Sequence, residues 1–265
     1  MNRITKAFEK LENKKALIAF VTGGDPDIET TEKLILAMGE GESGADIIEI
    51  GIPFSDPVAE GPVIQNADAR ALAGGCTTDR LFGMVQRLRA KTDIPLLFMT
   101  YANPVYSYGT NGTSGFMARC KEVGIDGLIV PDVPFEERGE FEPEAARHDI
   151  CLISMIAPTS GERIEQIAKE AKGFLYCVSS LGVTGARGET NSSLAELIEK
   201  AKKVSPVPCA IGFGISTPNQ AREMAAISDG VIVGSAIVDL VAQFGRECIE
   251  PVRQFVRELK AGICF

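Results

Sequence analysis

Short apolar segments recur along the chain at fairly regular intervals, separated by longer polar segments. Most are rich in Ile, Val, Leu or Phe and are bounded by Gly, Pro, Asp or Asn, a pattern typical of buried parallel strands. This pattern predicts eight strands: Ala16–Val21, Asp46–Ile50, Pro95–Met99, Gly127–Val130, Ile150–Ile156, Phe174–Val178, Pro208–Ile211 and Gly230–Val233.

The polar segments between these strands carry apolar residues at helical spacing. The clearest predicted helices are Glu32–Met38, Leu81–Leu88, Phe116–Val123, Ile164–Ala171, Leu194–Ala201 and Ala221–Ile227. Capping boxes are predicted at Thr159 and Ser193, and Thr217 is predicted to be an N-cap before a proline. Ile4, Phe8 and Leu11 share one helical face, which indicates an additional N-terminal helix at the bottom of a barrel.

Eight strands that alternate with helices in 265 residues favour an α/β fold, a (β/α)8 TIM barrel. A doubly wound sheet is the competing architecture, but it usually needs fewer strands. No linker or low-complexity tract interrupts the pattern. We therefore predict a single barrel domain over residues 1–265, with an extra N-terminal helix.

Composition narrows the classes of function. The net charge of −9 argues against binding to nucleic acid or to an anionic membrane, because both rely on basic patches. No apolar run approaches the roughly 18 residues of a membrane span, and the N-terminus does not resemble a signal peptide. A cytoplasmic location is expected.

The rare residue types restrict the chemistry. The seven cysteines are scattered without a CxxC pair, so neither a disulfide framework nor a zinc site is indicated. His148 is the only histidine, which excludes a histidine-rich metal site, and we expect no metal. Acid–base catalysis must then rely mainly on carboxylates, tyrosine or lysine.

The second predicted strand carries a carboxylate. If Ile48 and Ile50 pack against the helices, alternation directs Glu49 into the mouth of the barrel, where active sites of this fold lie. Loss of water there raises the pKa of a carboxyl group toward the range that suits proton transfer. Glu49 is therefore either a general acid–base or part of a structural ion pair.

The loop that follows contains Asp56 and Glu60 among glycines and prolines. Loops after barrel strands often carry function, although acidic loop residues are also commonly just solvated. Both interpretations stay open for these two residues.

Glycine-rich turns follow the last three strands. Gly212 and Gly214 end the seventh strand, and Gly234 with Ser235 ends the eighth, directly before a helical segment. This is the usual phosphate site of such barrels, whereas the alternative is simple tight turns. The loop LGVTGARGET after the sixth strand contains Thr184 and Gly185, which can add to this site and to a lid.

Four aromatic residues fall near the same end of the predicted barrel. They are Phe20, Tyr101, Tyr176 and Phe213. Each alone is as well explained by the core, but together they would form a slot for a flat ring. The residues thus predict a barrel enzyme that acts on a phosphorylated, aromatic substrate by carboxylate acid–base catalysis.

Several motifs occur in order over most of the chain. They are FVTGGDPD, IEIGIPFSDPVAEGP, MTYANPV, PDVPFEE, LGVTGARG, GFGISTP and VGSAIV. Together they resemble the tryptophan synthase α-subunit family, and GIPFSDPVAEGP is its most specific segment. The resemblance implies retro-aldol cleavage of indole-3-glycerol phosphate to indole and glyceraldehyde 3-phosphate. It also implies a β subunit, expected in an α2β2 assembly, that holds pyridoxal phosphate, with no cofactor in this chain.

The resemblance also implies residue roles. Glu49 matches the general acid–base, Glu60 the carboxylate that steadies charge at the indole N–H, and Asp56 a residue of the loop that communicates with the β subunit. The family ordinarily has Asp where this chain has Glu60, so the reach of that carboxylate differs. Tyr176 is expected to assist proton transfer. Phosphate contacts would be Gly185, Gly214, Gly234 and Ser235; the indole slot would be Phe20, Tyr101, Ile129, Ile156, Tyr176 and Phe213, with Thr184 in the lid.

Three rival interpretations stay open. One is a related indole-glycerol-phosphate barrel enzyme, which should lack the GIPFSDP loop. A second is a lyase that releases free indole without a partner. The third is a weakly catalytic subunit that mainly activates the β subunit, and the Glu60 departure keeps this interpretation open.

Overall fold

The computed structural model describes residues 2–11, 14–179, 187–212 and 214–264. Its strands form one sheet in which every neighbouring pair is parallel, in the order β5-β4-β3-β2-β1-β9-β8-β7-β6. The strands are β1 Ala16–Thr22, β2 Ile47–Gly51, β3 Leu96–Met99, β4 Gly127–Ile129, β5 Cys151–Leu152, β6 Ser154–Ile156, β7 Leu175–Val178, β8 Cys209–Gly212 and β9 Gly230–Val233.

The predicted strand Ile150–Ile156 is divided into β5 and β6 by Ile153. Cys151 of β5 pairs with β4, and Ser154 of β6 pairs with β7, so this one segment joins both ends of the sheet. The Ile153 N–H still donates to the Leu128 carbonyl at 2.9 Å. The sheet therefore curls into a nearly closed barrel with eight strand positions, which confirms the predicted TIM-barrel fold.

Helices cover the outside of the barrel. They are α1 Arg3–Lys10, α2 Ile28–Met38, α3 Pro62–Ala73, α4 Thr78–Arg89, α5 Ala102–Tyr106, α6 Gly112–Val123, α7 Glu142–Arg147, α8 Ile164–Lys169, α9 Arg187–Lys202, α10 Pro218–Ile227, α11 Ser235–Phe244 and α12 Ile249–Ile263. Each of the six helices predicted from periodicity overlaps one of these. Within the described ranges, no helix has the length and apolar character needed to span a membrane.

The predicted N-terminal helix is present as α1. The Asn2 side chain caps it by accepting a hydrogen bond from the Ile4 N–H at 2.8 Å. The Ile4 side chain is fully buried and joins the apolar residues inside the barrel. Helix α1 therefore covers the N-terminal end of the barrel, as the sequence predicted.

Only one of the three predicted caps is confirmed. Thr217 caps α10, because its hydroxyl accepts from the amide three residues further on at 3.2 Å. The capping box at Thr159 is wrong: that segment is a 3-10 turn in which Ser160 Oγ accepts from the Ala157 N–H at 3.0 Å. The box at Ser193 is also wrong, since this residue lies inside α9. A Ser/Thr-x-x-Glu pattern alone does not distinguish a helix start from a helix interior.

The strands separate two apolar clusters. Outward side chains such as Ile48 and Ile50 pack with the helices, whereas inward side chains such as Ile47 form an inner cluster within the barrel. The alternation of side chains along a strand produces this division. Glu49 shares the parity of Ile47, so the predicted inward orientation of this carboxylate is confirmed.

Candidate active site

Glu49 lies near the C-terminal end of β2, where it pairs with Phe20 of β1 and Leu97 of β3. Its side chain is buried, and neither carboxyl oxygen has a hydrogen-bond partner among the described residues. Burial in this environment raises the pKa of Glu49 to about 8, because the charged form loses its hydration. The carboxyl group is thus mostly protonated at neutral pH and can donate a proton. The described contacts contain no ion pair of Glu49, so the structural interpretation has no support.

Tyr176 lies inside the barrel on β7 and is buried. Burial, together with the neighbouring Glu49 charge, raises the pKa of its phenol well above the ordinary value. Tyr176 therefore keeps its proton at any physiological pH. Its electrostatic coupling to Glu49 places two proton-carrying groups close together within the barrel.

Gly212 makes room for Tyr176. A Cβ atom at position 212 would lie 2.7 Å from the Cζ atom of the Tyr176 ring, which is closer than van der Waals contact allows. The sequence interpretation treated Gly212 as a phosphate-site glycine. The described contact shows a packing role, in which the missing side chain admits an aromatic ring to the barrel, and the phosphate role of Gly212 stays a prediction.

The predicted aromatic slot is only partly assembled as expected. Phe20, Ile129 and Tyr176 all belong to the inner cluster. Ile156 does not: it packs in the outer cluster against the helices, whereas the preceding residue, Met155, packs against the inner cluster. The prediction for Ile156 is wrong, because a shift of one residue along a strand moves a side chain to the opposite face.

Tyr101 follows β3 and holds the loop that follows β2. Its hydroxyl accepts hydrogen bonds from the Val58 and Ala59 amides at 3.1 and 2.9 Å and donates one to the Glu60 carboxylate. Its ring packs against Phe54 with 5.3 Å between the centroids. The described hydrogen bonds of the Tyr101 side chain are therefore with this loop.

Both the side chain and the backbone of Glu60 accept hydrogen bonds from other parts of the chain. Partial burial and the neighbouring Asp132 charge raise its pKa above the ordinary value, although the hydrogen bond from Tyr101 acts in the opposite direction. Its backbone carbonyl accepts from the Gln65 side chain of α3 at 2.8 Å. Glu60 is thus a fixed carboxylate at the mouth of the barrel and not merely a solvated loop residue.

The outer part of the same loop is exposed. Asp56 lies at the surface and accepts a hydrogen bond from the Ser55 hydroxyl at 2.5 Å. Val58 is 79% exposed, which is unusual for an apolar side chain. Nothing in these contacts tests the predicted role of Asp56 at a partner, but the residue is accessible.

The predicted phosphate-binding residues fall at loop and helix ends. Gly234 is the N-cap residue of α11 and has no side chain that could accept a hydrogen bond from the first amides of the helix. The amides of Ser235 and the following residue point out of the N-terminus of α11. Gly214 has a φ of +74°, a conformation that favours glycine. Both sites lie beyond the C-terminal ends of β8 and β9, as predicted. Thr184, Gly185 and Phe213 lie outside the described residues.

Sequence reasoning missed Asp68 of α3. This side chain is 4% exposed, and burial with the nearby Glu60 charge raises its pKa to about 7. A signal was present in the sequence. Asp68 shares a helical face with the buried residues Ile64, Ala67 and Ala71, so it is a carboxylate at an apolar position.

Comparison with known proteins identifies the family. A family model described as tryptophan synthase alpha chain matches residues 7–263. The chain belongs to the tryptophan synthase alpha chain family. It is 46% identical over 260 residues to the tryptophan synthase alpha chain of Lacticaseibacillus casei, covering 98% of this chain and 96% of that one. Against the alpha chain of Thermoanaerobacter sp. (strain X514), identity is 48% over 264 residues, with 98% and 99% covered.

Solved alpha-chain structures have the same fold. Tryptophan synthase subunit alpha from Legionella pneumophila str. Paris superposes with a TM-score of 0.88 at 36% identity, covering 99% of this chain and 98% of that one. A chain from the tryptophan synthase α2β2 complex of Pyrococcus furiosus gives 0.85 at 37% identity, covering 94% and 99%. The resemblance inferred from motifs is therefore confirmed over nearly the full length.

Proposed function

We propose that this chain cleaves indole-3-glycerol phosphate to indole and glyceraldehyde 3-phosphate, with Glu49 as general acid and base. The observation that carries this assignment is the buried Glu49 carboxyl, whose oxygens have no partner among the described residues and whose pKa is raised to about 8. General acid–base catalysis works best when the pKa of the catalytic group lies near the working pH.

One carboxyl group suffices for both proton transfers of a retro-aldol cleavage. The protonated Glu49 donates its proton to C3 of the indole ring, which turns the ring into a leaving group. The bond between C3 and the side chain then breaks, and its electron pair restores the aromatic ring. The resulting Glu49 carboxylate accepts the proton of the adjacent hydroxyl as the aldehyde forms. The enzyme thus ends in the protonation state in which it began.

The remaining residues position the substrate. In this proposal the Glu60 carboxylate accepts a hydrogen bond from the indole N–H and stabilises the positive charge that develops on the ring. Tyr176 stays protonated and donates a hydrogen bond within the barrel, while Phe20 and Ile129 contact the indole ring. The amides at Gly234 and Ser235 bind the phosphate at the N-terminus of α11, with Gly214 beside them. Thr184, Gly185 and Phe213 are assigned to the lid, the phosphate site and the ring slot.

We also propose that the indole passes to a pyridoxal-phosphate-dependent β subunit and that this chain itself holds no cofactor. The support is the Pyrococcus furiosus α2β2 complex, whose alpha chain has the same fold, and the exposed loop at Asp56 and Val58. The seven cysteines are all free thiols, which suits the reducing cytoplasm where we place the reaction.

Indole release from indole-3-glycerol phosphate tests the proposal. Wild type and Glu49→Gln would be assayed alone and with a tryptophan synthase β subunit, and the exposed Glu42→Gln serves as a matched control. We expect Glu49→Gln to lower kcat by about 10³-fold under both conditions and the control to match wild type. No Glu49-dependent indole under either condition would refute the lyase assignment. Activation of the β reaction without cleavage would instead support the regulatory alternative.

A further inference from the structure

We propose that Thr22 is a substrate-binding residue whose hydroxyl forms a hydrogen bond with the substrate's second side-chain hydroxyl, the one between the cleaved bond and the phosphate. This inference rests on the proposed function, because it adds a contact to the same substrate. It makes Thr22 a specificity residue, since a side chain without hydroxyls offers Thr22 no partner.

The Thr22 hydroxyl is a buried polar group without a partner. Thr22 is the last residue of β1 and is 1% exposed, and no described residue forms a hydrogen bond with its Oγ1 atom. A buried hydroxyl in this condition costs free energy that a methyl group of the same shape would avoid. Of the described strand residues, only Glu49 also has buried side-chain oxygens without a partner. Such groups in a folded protein require an explanation, and a ligand is one.

Thr22 and Glu49 face the same side of the sheet. Alternation along β1 places Thr22 on the face of Ile18 and Phe20, which belong to the inner cluster. The register pairs Phe20 with Glu49 and Thr22 with Gly51. Thr22 therefore lies one inward position closer to the C-terminal end of the barrel than Glu49 does, opposite a residue that has no side chain.

Strand β1 lies between the strand of the acid–base residue and the strand that leads to the phosphate site. It pairs with β2, which carries Glu49, and on its other edge with β9, which runs into the N-cap of α11 at Gly234. A Cβ atom at Gly234 would lie 3.4 Å from the Cβ atom of Phe20, so this turn adjoins the inner face of β1. A substrate that reacts at Glu49 and binds its phosphate at Gly234 must cross the end of β1, where Thr22 is the polar side chain.

This position selects one of the two substrate hydroxyls. The first is on the carbon whose bond to the indole ring breaks, and Glu49 accepts its proton in the proposed function. The second is on the next carbon toward the phosphate and remains a hydroxyl in glyceraldehyde 3-phosphate. A threonine hydroxyl both donates and accepts hydrogen bonds, so it can pair with another hydroxyl. Because the second hydroxyl does not react, this hydrogen bond is equally strong before and during cleavage.

The substrate reaches Thr22 and Glu49 by the same movement. The Thr22 hydroxyl and the Glu49 carboxyl oxygens are all enclosed in the free chain. The Phe20 ring fills the inner space at Gly51, because a Cβ atom there would lie 2.6 Å from its Cζ atom. Phe20 stands between the two groups in the register, so displacement of this ring by the indole opens both of them.

Two substitutions at Thr22 test the contact through kinetics. Thr22→Val replaces the hydroxyl by a methyl group, and we expect KM for indole-3-glycerol phosphate to rise about tenfold while kcat changes less than about threefold, because the lost interaction is uniform. Thr22→Ser keeps the hydroxyl, and we expect its KM to stay within about threefold of wild type. An unchanged KM in Thr22→Val, or equal increases in the Val and Ser variants, would contradict the contact. Thr22→Ala removes the same hydroxyl and replaces Thr22→Val in this test where the latter does not fold.

A binding experiment tests the contact without turnover. The probes are indole-3-glycerol phosphate and indole-3-propanol phosphate, which has the same ring, chain length and phosphate but neither side-chain hydroxyl. In the Glu49→Gln background we expect Thr22→Val to raise the Kd of the first probe about tenfold and to leave the Kd of the second within about twofold, measured by calorimetry. Equal weakening of both probes would indicate a general packing defect and would overturn the proposal.

Stability distinguishes a hydroxyl that waits for a ligand from one that holds the fold. We expect the urea midpoint of Thr22→Val to equal or exceed that of wild type, because an unpaired buried hydroxyl is removed. Thr31→Val is the matched control: Thr31 is also buried, but its hydroxyl accepts from the Gly24 N–H at 3.0 Å and donates to the Asp27 carbonyl at 2.9 Å, so its midpoint should fall.

An equal fall of the midpoint in Thr22→Val and Thr31→Val would show that the Thr22 hydroxyl has a partner in the free chain, and this would overturn the binding role. A wild-type chain that releases no indole would refute the proposed function instead. The comparison of the two probes would then still report whether Thr22 contacts a side-chain hydroxyl.

Discussion

The end of β2 and the loop that follows it each present a glutamate at the mouth of the barrel, yet they hold it by different means. Glu49 stands on a strand whose residues are all buried, and no described residue forms a hydrogen bond with its carboxyl oxygens. Glu60 stands on a loop, where a tyrosine hydroxyl and a glutamine side chain hold its carboxylate and its carbonyl.

The difference separates two ways to prepare a carboxylate for catalysis. The strand fixes the Glu49 backbone and excludes water, so the environment sets its proton affinity directly. The loop sets position through hydrogen bonds that can form and break, so Glu60 depends on side chains from other elements. The first carboxyl group is therefore suited to proton transfer and the second to a charge that must meet the substrate at a defined place.

The largest expected effect concerns the free energy of unfolding that the protein loses when the buried Glu49 ionises. Because its folded-state pKa is about 8 and its ordinary value is 4.5, the folded state binds more protons between these values, and the free energy of unfolding falls as pH rises from about 4.5 to 8. Glu49→Gln removes this loss, so we expect the variant to gain up to about 3 kcal/mol over wild type between pH 5 and pH 8. Urea unfolding at both pH values measures it.

Glu60→Gln provides the comparison for this experiment. The Glu60 carboxylate is only half-buried and accepts a hydrogen bond, so we expect a clearly smaller pH-dependent gain. Equal gains at the two positions would contradict the distinction between the strand and the loop.

The next effect tests the packing around the strand site. Gly212→Ala places a methyl group against the Tyr176 ring, and such overpacking typically costs about 1–3 kcal/mol. We expect this loss of unfolding free energy together with a lower kcat, because Tyr176 must move. Gly139→Ala is the control, since nothing lies within 4 Å of a Cβ atom there. A Gly212→Ala variant as stable and active as wild type would show that the ring adapts freely.

The smallest effect concerns the loop. Tyr101→Phe keeps the ring but removes the hydroxyl that joins two loop amides to Glu60, and we expect kcat to fall about tenfold. Tyr106→Phe is the matched control, because this exposed tyrosine also donates to a glutamate, Glu140. If both variants lose the same activity, or neither does, Tyr101 has no special part in placing Glu60.

Local pattern was sufficient for the architecture and for the inward orientation of Glu49. Strand periodicity predicted all eight strand positions, and the parity of Ile48 and Ile50 placed Glu49 on the inner face. The assignment of Ile156 to the indole slot, which rested on the family resemblance, is wrong. The break at Ile153 interrupts the strand, and a sequence does not show which face the next residues take after such a break.

Other roles depended on residues distant in the chain. The glycine at position 212 suggested a turn for phosphate, but its described contact is with Tyr176 on the neighbouring strand. Tyr101 suggested a slot for a ring, yet its hydroxyl reaches back to the loop at Glu60. The sequence gives the residue type at such positions, but it does not show which distant residue the side chain or backbone will contact.

The sequence by itself determined what depends on neighbours along the chain: the alternation of strands and helices, the faces of uninterrupted strands, and the motifs that place the chain in its family. Only the tertiary structure decided what depends on partners far apart in sequence. It showed that Glu49 is buried without a described hydrogen-bond partner, that Tyr101 donates a hydrogen bond to Glu60, and that Asp68 of α3 is buried. Hydration, charge repulsion and packing depend on all the atoms that surround a side chain, and these atoms come together only when the chain is folded.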